Sequence, residues 1–113
     1  MEEKPIMTVE GYKTSLLLFK NKIKIERAKG FMNLGLHGLK GDKEIFLKFI
    51  TAIQLKKAGV FTKGYIQFTI MGGNESIVGM LGAVQDENTV VFEKNQEQEF
   101  MKIKQLIEDK INS

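Results

Sequence analysis

The chain has 113 residues, a net charge of +3, 42% apolar residues and eight Phe, which suits one domain with one core and argues against disorder. It has no Cys and a single His, His37, so disulfides, thiolate metal sites, a cysteine nucleophile and multi-histidine clusters are excluded, and a His-centred triad is not expected. No apolar run reaches the ~20 residues of a membrane span, and the acidic opening MEEKPIMTVE lacks the apolar stretch of a signal peptide, so a cytoplasmic protein is the default expectation.

Charge is unevenly spread along the chain. Residues 13–63 carry 12 basic and 3 acidic side chains, whereas residues 64–113 carry 4 basic and 8 acidic. Such a split suits an anionic partner or head-to-tail self-association. Lysine is also the usual solvent-facing residue of antiparallel sheets, where it blunts edges.

Residues 1–11, with the only Pro at position 5, read as a lead-in, and 12–113 as a single domain. The run Tyr12 to Phe19 predicts a strand, and Lys20-Asn21-Lys22 a tight turn, Asn being at home in left-handed backbone. Ile23 to Arg27 alternates, with Ile23 and Ile25 facing in and Lys24 and Glu26 facing out. Gly30 to Gly41 reads as a loop, because four glycines in twelve residues weaken helix and strand alike. That loop nevertheless carries Phe31, Met32, Leu34, Leu36 and Leu39, which either pack down on the domain or face a partner.

Glu44 to Phe49 and Ile50 to Lys56 read as the third and fourth strands, and Gly64 to Met71 as the fifth, after a break at Lys57-Ala58-Gly59-Val60. Met71 to Glu75 and Gln85 to Asn88 read as turns. Ser76 to Val84 is ambiguous, a sixth strand interrupted by Gly79 and Gly82, and Thr89 to Glu93 is the seventh. The last twenty residues switch to a helical period. Asn95 is the expected N-cap, with Gln98 completing a capping box, and Glu97 and Glu99 suit the dipole in the first turn. Phe100, Ile103, Leu106, Ile107 and Ile111 form the apolar stripe.

These elements predict a mainly β (α+β) domain, a seven-stranded, partly open antiparallel barrel closed at one end by the C-terminal amphipathic helix. The lumen of so small a barrel is filled by side chains, so no cofactor is expected inside it. The stretches Leu39 to Lys43, Ile50 to Lys56, Gly64 to Phe68 and Asp86 to Phe92 resemble motifs of the bacterial pleckstrin-homology-like (PH-like) domain family, and the resemblance runs from about Tyr12 to Ile111. It implies the PH-like superfold, a bacterial or phage source, and in some members ring-forming oligomers. It implies no activity. In PH domains that bind phosphoinositides, basic residues of the first hairpin grip the phosphates, and Lys20, Lys22, Lys24 and Arg27 lie in the corresponding hairpin.

No pair of carboxylates stands at recognisable catalytic spacing. Gly35 to Gly41 has glycine and lysine, but not the order or strand–helix context of a phosphate loop. The expectation is a non-enzymatic binding module, without cofactor or metal. Its first expected partner is another protein or a second copy of the chain, met through the loop Phe31 to Leu39 and an exposed strand edge. The alternative is an anionic ligand at the hairpin: a phospholipid head group, or less readily nucleic acid. Phe19, Phe46, Phe49 and Phe68 read as core rather than as the exposed platforms that stack bases.

Overall fold

In the computed structural model of the chain, the residues described are 3–27, 42–71 and 88–113. Strands β1 (Met7–Glu10), β2 (Thr14–Leu18), β3 (Lys22–Arg27) and β4 (Lys43–Phe46) form one antiparallel sheet in that order. Strands β5 (Ile50–Lys56), β6 (Gly64–Ile70) and β7 (Thr89–Phe92) form a second. A 3-10 turn, Leu47–Phe49, carries the chain from one sheet to the other, and a second, Lys94–Gln96, leads into helix α1 (Glu97–Ile111).

Alternation decides which face each strand buries. In the first sheet Leu18 stands opposite Ile23, and Ile23 opposite Ile45, with Leu16 opposite both Val9 and Ile25. All six are buried, so this row is the inner face. The second sheet contributes Ile66, Phe68, Val90 and Phe92, and α1 adds Phe100, Ile103 and Ile107 to the same core. The sheets meet at one corner, where the Tyr12 N–H donates to the Val91 carbonyl at 2.7 Å. Among the described residues no strand of one sheet pairs with a strand of the other, so the architecture is two antiparallel sheets and a helix, without a closed barrel.

Five expectations need correction. The lead-in supplies β1: a four-residue edge strand held by β2, which its own short sequence is too polar to announce. The third strand stops at Phe46 rather than Phe49, because the chain must leave its sheet there and does so in a 3-10 turn. Phe46 and Phe49 are consequently not core; they are 47% and 42% exposed. The capping box is made by Glu93 and Gln96, two residues before Asn95 and Gln98. The helix stripe is also narrower than expected: Leu106 is exposed, and Ile111 is only partly buried against the core.

Ser76 to Val84 and the loop residues Phe31, Met32, Leu34, Leu36, Leu39 and His37 lie outside the described residues.

Candidate functional site

The β2–β3 hairpin folds as expected, around a Lys20-Asn21 turn closed by the Phe19 N–H donating to the Lys22 carbonyl at 2.8 Å. Its cations do not form a free cluster. Lys22 pairs with Glu44 of β4 at 3.2 Å, and Lys24 sits between Glu26 at 3.2 Å and Asp42 at 3.8 Å. The hydrogen bond to Glu26, opposed by desolvation and reinforced by the charges of Glu26, Asp42 and Glu44, holds the Lys24 ammonium above its ordinary value. The Arg27 backbone N–H points to Asp42 at 3.4 Å. Cross-strand acids thus neutralise the face that would have to hold a phosphate. Of the four residues, Lys20 alone lies apart, on a groove at the C-terminal end of α1.

That groove, of about 560 Å³, lies between Leu47, Ile50 and Ile111, with Lys20, Lys48 and Lys110 around it and Phe46 on its rim. Phe46 packs edge-on against Phe49, centroids 6.5 Å apart at 83°. The Lys48 ammonium lies 5.3 Å over the Phe49 ring. The Met71 N–H donates to the Phe49 carbonyl at 2.8 Å, and the Met71 side chain is exposed. The patch stands where β4 hands over to β5. Among the described residues β4 pairs only with β3 and β5 only with β6, so each leaves an edge.

The opposite end of α1 carries a different feature, the β5–β6 connection of residues 57–63. Ala58 is buried, and its N–H donates to Glu97 Oε1 at 2.8 Å. The Gly59 N–H donates to the Thr62 carbonyl at 2.9 Å and to its Oγ1 at 3.2 Å, closing a four-residue turn. Val60 and Phe61 occupy the turn's two central positions, 91% and 96% exposed. Lys94 Nζ reaches the Ala58 carbonyl at 3.5 Å, and Gln96 Nε2 donates to the Gly11 carbonyl at 3.3 Å. The β1–β2 turn, the β5–β6 connection and the helix start are therefore tied into one platform.

Glu97 stands in the first turn of α1, as its sequence position suggested, and it is also buried with the Ala58 N–H as partner, which sequence reasoning missed. Removing its acceptor strands a buried N–H, which costs about 1–3 kcal/mol. Glu97→Ala should lose that much in urea unfolding, and Glu97→Gln, which keeps a carbonyl acceptor, should recover most of it. Equal losses for both would mean that the Ala58 contact contributes nothing. The signal for the exposed pair was visible: two large apolar residues follow Gly59 and are bracketed by Lys56, Lys57 and Lys63.

Among the described residues no three His, Cys, Asp or Glu side chains come together as a metal site, and no helix is long and apolar enough to cross a membrane. A family model described as a domain of unknown function, DUF4429, matches residues 20–108. No curated protein and no solved structure matches the chain.

Proposed function

The chain belongs to the DUF4429 family, and we propose that it is a non-enzymatic protein-interaction module on a PH-like scaffold, with a second copy of itself as first partner. The scaffold reading is supported by the order of elements: a four-stranded sheet, a three-stranded sheet, then a helix packed on the shared core. The resemblance of Ile50 to Lys56 and Gly64 to Phe68 to PH-like motifs adds to it.

One observation carries the interaction reading, the half-exposed Phe46–Phe49 pair where β4 hands over to β5, two strands that each pair on one side only among the described residues. Aromatic and methionine side chains are enriched at protein interfaces, and a few such anchors supply most of the binding energy. An open edge offers backbone groups for strand addition. Lys20, Lys48 and Lys110 would lie at the rim, where charge stays solvated. The hairpin reading is weakened by the ion pairs of Lys22 and Lys24.

Replacing Phe46 and Phe49 together by Asp should lower the sedimentation mass of the full chain and leave its melting temperature nearly unchanged, since both rings are about half-exposed and lie outside the core cluster. An unchanged mass would place the interface elsewhere. A lowered melting temperature would show that the pair supports the fold instead.

A further inference from the structure

The connection between β5 and β6 presents its apolar residues outward on a rigid support. Two neighbouring side chains, Val60 and Phe61, are almost wholly in water. Exposed single apolar residues are ordinary. Here, however, a buried carboxylate, a closed turn and a lysine contact fix the backbone on either side of the pair. Cations surround it. Lys56, Lys57 and Lys63 flank it in sequence. The fold brings up Lys94, and also Lys13, whose ammonium shares the Tyr12 ring with that of Lys63, at 5.6 and 4.5 Å. None of these five lysines forms an ion pair among the described residues. Of the described acids at this end, Glu97 is held on the Ala58 N–H, Glu93 lies in the capping box and Glu10 accepts from Ser15, which leaves Glu99 exposed in the first turn of the helix against five lysines.

We propose that this end of the molecule docks on an anionic lipid bilayer, with Val60 and Phe61 entering the boundary between head groups and acyl chains while the lysines lie among the head groups. The inference does not rest on the Phe46–Phe49 patch, which lies at the other end of α1. The pair projects into water beside an open groove of about 420 Å³ that it lines together with Lys63, Glu93 and Lys94, so it needs a surface that yields or a pocket that receives it. A protein pocket is the poorer match, because five lysines without an ion pair among the described residues outnumber the two apolar residues they surround and call for a surface of uniform negative charge. Nucleic acid is poorer still, because Val60 has no face on which a base could stack. A basic rim around an apolar point is the arrangement that anionic bilayers hold. The tip would not fit the groove of another copy, where Lys20, Lys48 and Lys110 would oppose its own lysines.

The chain has no Trp, so Phe61→Trp places a single reporter at the tip. With vesicles of phosphatidylcholine and phosphatidylserine its emission should shift to the blue and be quenched by brominated acyl chains. With phosphatidylcholine alone it should do neither. In cosedimentation of the full chain, Val60→Ser with Phe61→Ser should weaken binding roughly 10- to 100-fold, the range expected for keeping a Phe side chain in water. Lys57→Gln and Lys63→Gln should each weaken it about fivefold. Because Val60 and Phe61 touch little, their replacement should not change melting. The Phe46 and Phe49 replacements should leave vesicle binding intact, so the two proposals fail separately. No emission shift on anionic vesicles, or binding indifferent to the tip, would overturn the inference. A shift on a single-stranded oligonucleotide or an acidic peptide without one on vesicles would overturn it as well.

Discussion

Phe100→Ala should remove about 3–5 kcal/mol of unfolding free energy, the range for truncating a large aromatic in a packed core. Phe100 is fully buried and stacks on Phe92 of β7, with ring centroids 4.7 Å apart and planes at 23°. Its edge also reaches the β1–β2 turn. A Cβ on Gly11 would lie 3.0 Å from Phe100 Cζ and 2.6 Å from the Val91 carbonyl oxygen. One ring therefore touches the helix, the second sheet and the corner of the first. A neighbour on any one element cannot relax to fill the space without leaving the other two, so the cavity persists and the cost lies high in the range. Domains of this size hold only about 5–15 kcal/mol in total. The variant should therefore show a much lower midpoint in urea. A loss under about 1 kcal/mol would mean that α1 is not docked where Phe100 meets Phe92.

Gly64→Ala should cost about 3 kcal/mol, at the upper end of overpacking, and lower the melting temperature by about 10 °C or more. Gly64 opens β6. A Cβ there would lie 2.5 Å from the Lys56 carbonyl oxygen, 2.5 Å from Phe92 Cε1 and 2.8 Å from the Ala58 nitrogen. Two of these atoms are backbone, and the third belongs to a fully buried ring, so β5 and β6 must part to admit a methyl group. The Ala58 N–H is also the group that Glu97 holds, so the displacement passes into the β5–β6 turn. Gly59→Ala provides the contrast. Its new Cβ would meet only the Thr62 side chain, at 2.6 Å from Oγ1. That side chain is exposed and can turn away, so the loss should stay below about 1 kcal/mol. Similar melting temperatures for the two variants would contradict the close approach at Gly64.

The strands with a strong period were legible from the residues. Ile50–Lys56 forms β5 with the expected bounds, and Ile23 and Ile25 face inward on β3 as their alternation requires. The helix was legible from Phe100, Ile103 and Ile107. What escaped was decided by tertiary contacts. Met7–Glu10 becomes a strand only because β2 offers it an edge. In the run Glu44 to Phe49 the apolar residues look continuous, yet the chain crosses between sheets after Phe46. That bend turns Phe46 and Phe49 outward. The hairpin lysines illustrate the same limit for the site. Sequence places Lys22 and Lys24 together, but the acids that neutralise them include Asp42 and Glu44, about twenty residues later.

Helix α1, about 22 Å long at 1.5 Å per residue, separates two surfaces of different chemistry. An aromatic patch lies at its C-terminal end, and a lysine-ringed apolar tip at its N-terminal end. The first suits a protein and the second a charged interface, and both could be engaged at once.

The most direct test of the interaction module is the solution mass of the full chain, by light scattering on a sizing column at low and at moderate salt. The account predicts a discrete oligomer at both, because the Phe46–Phe49 contact is apolar and salt screens only its charged rim. A monomer at micromolar concentration in both conditions would contradict it.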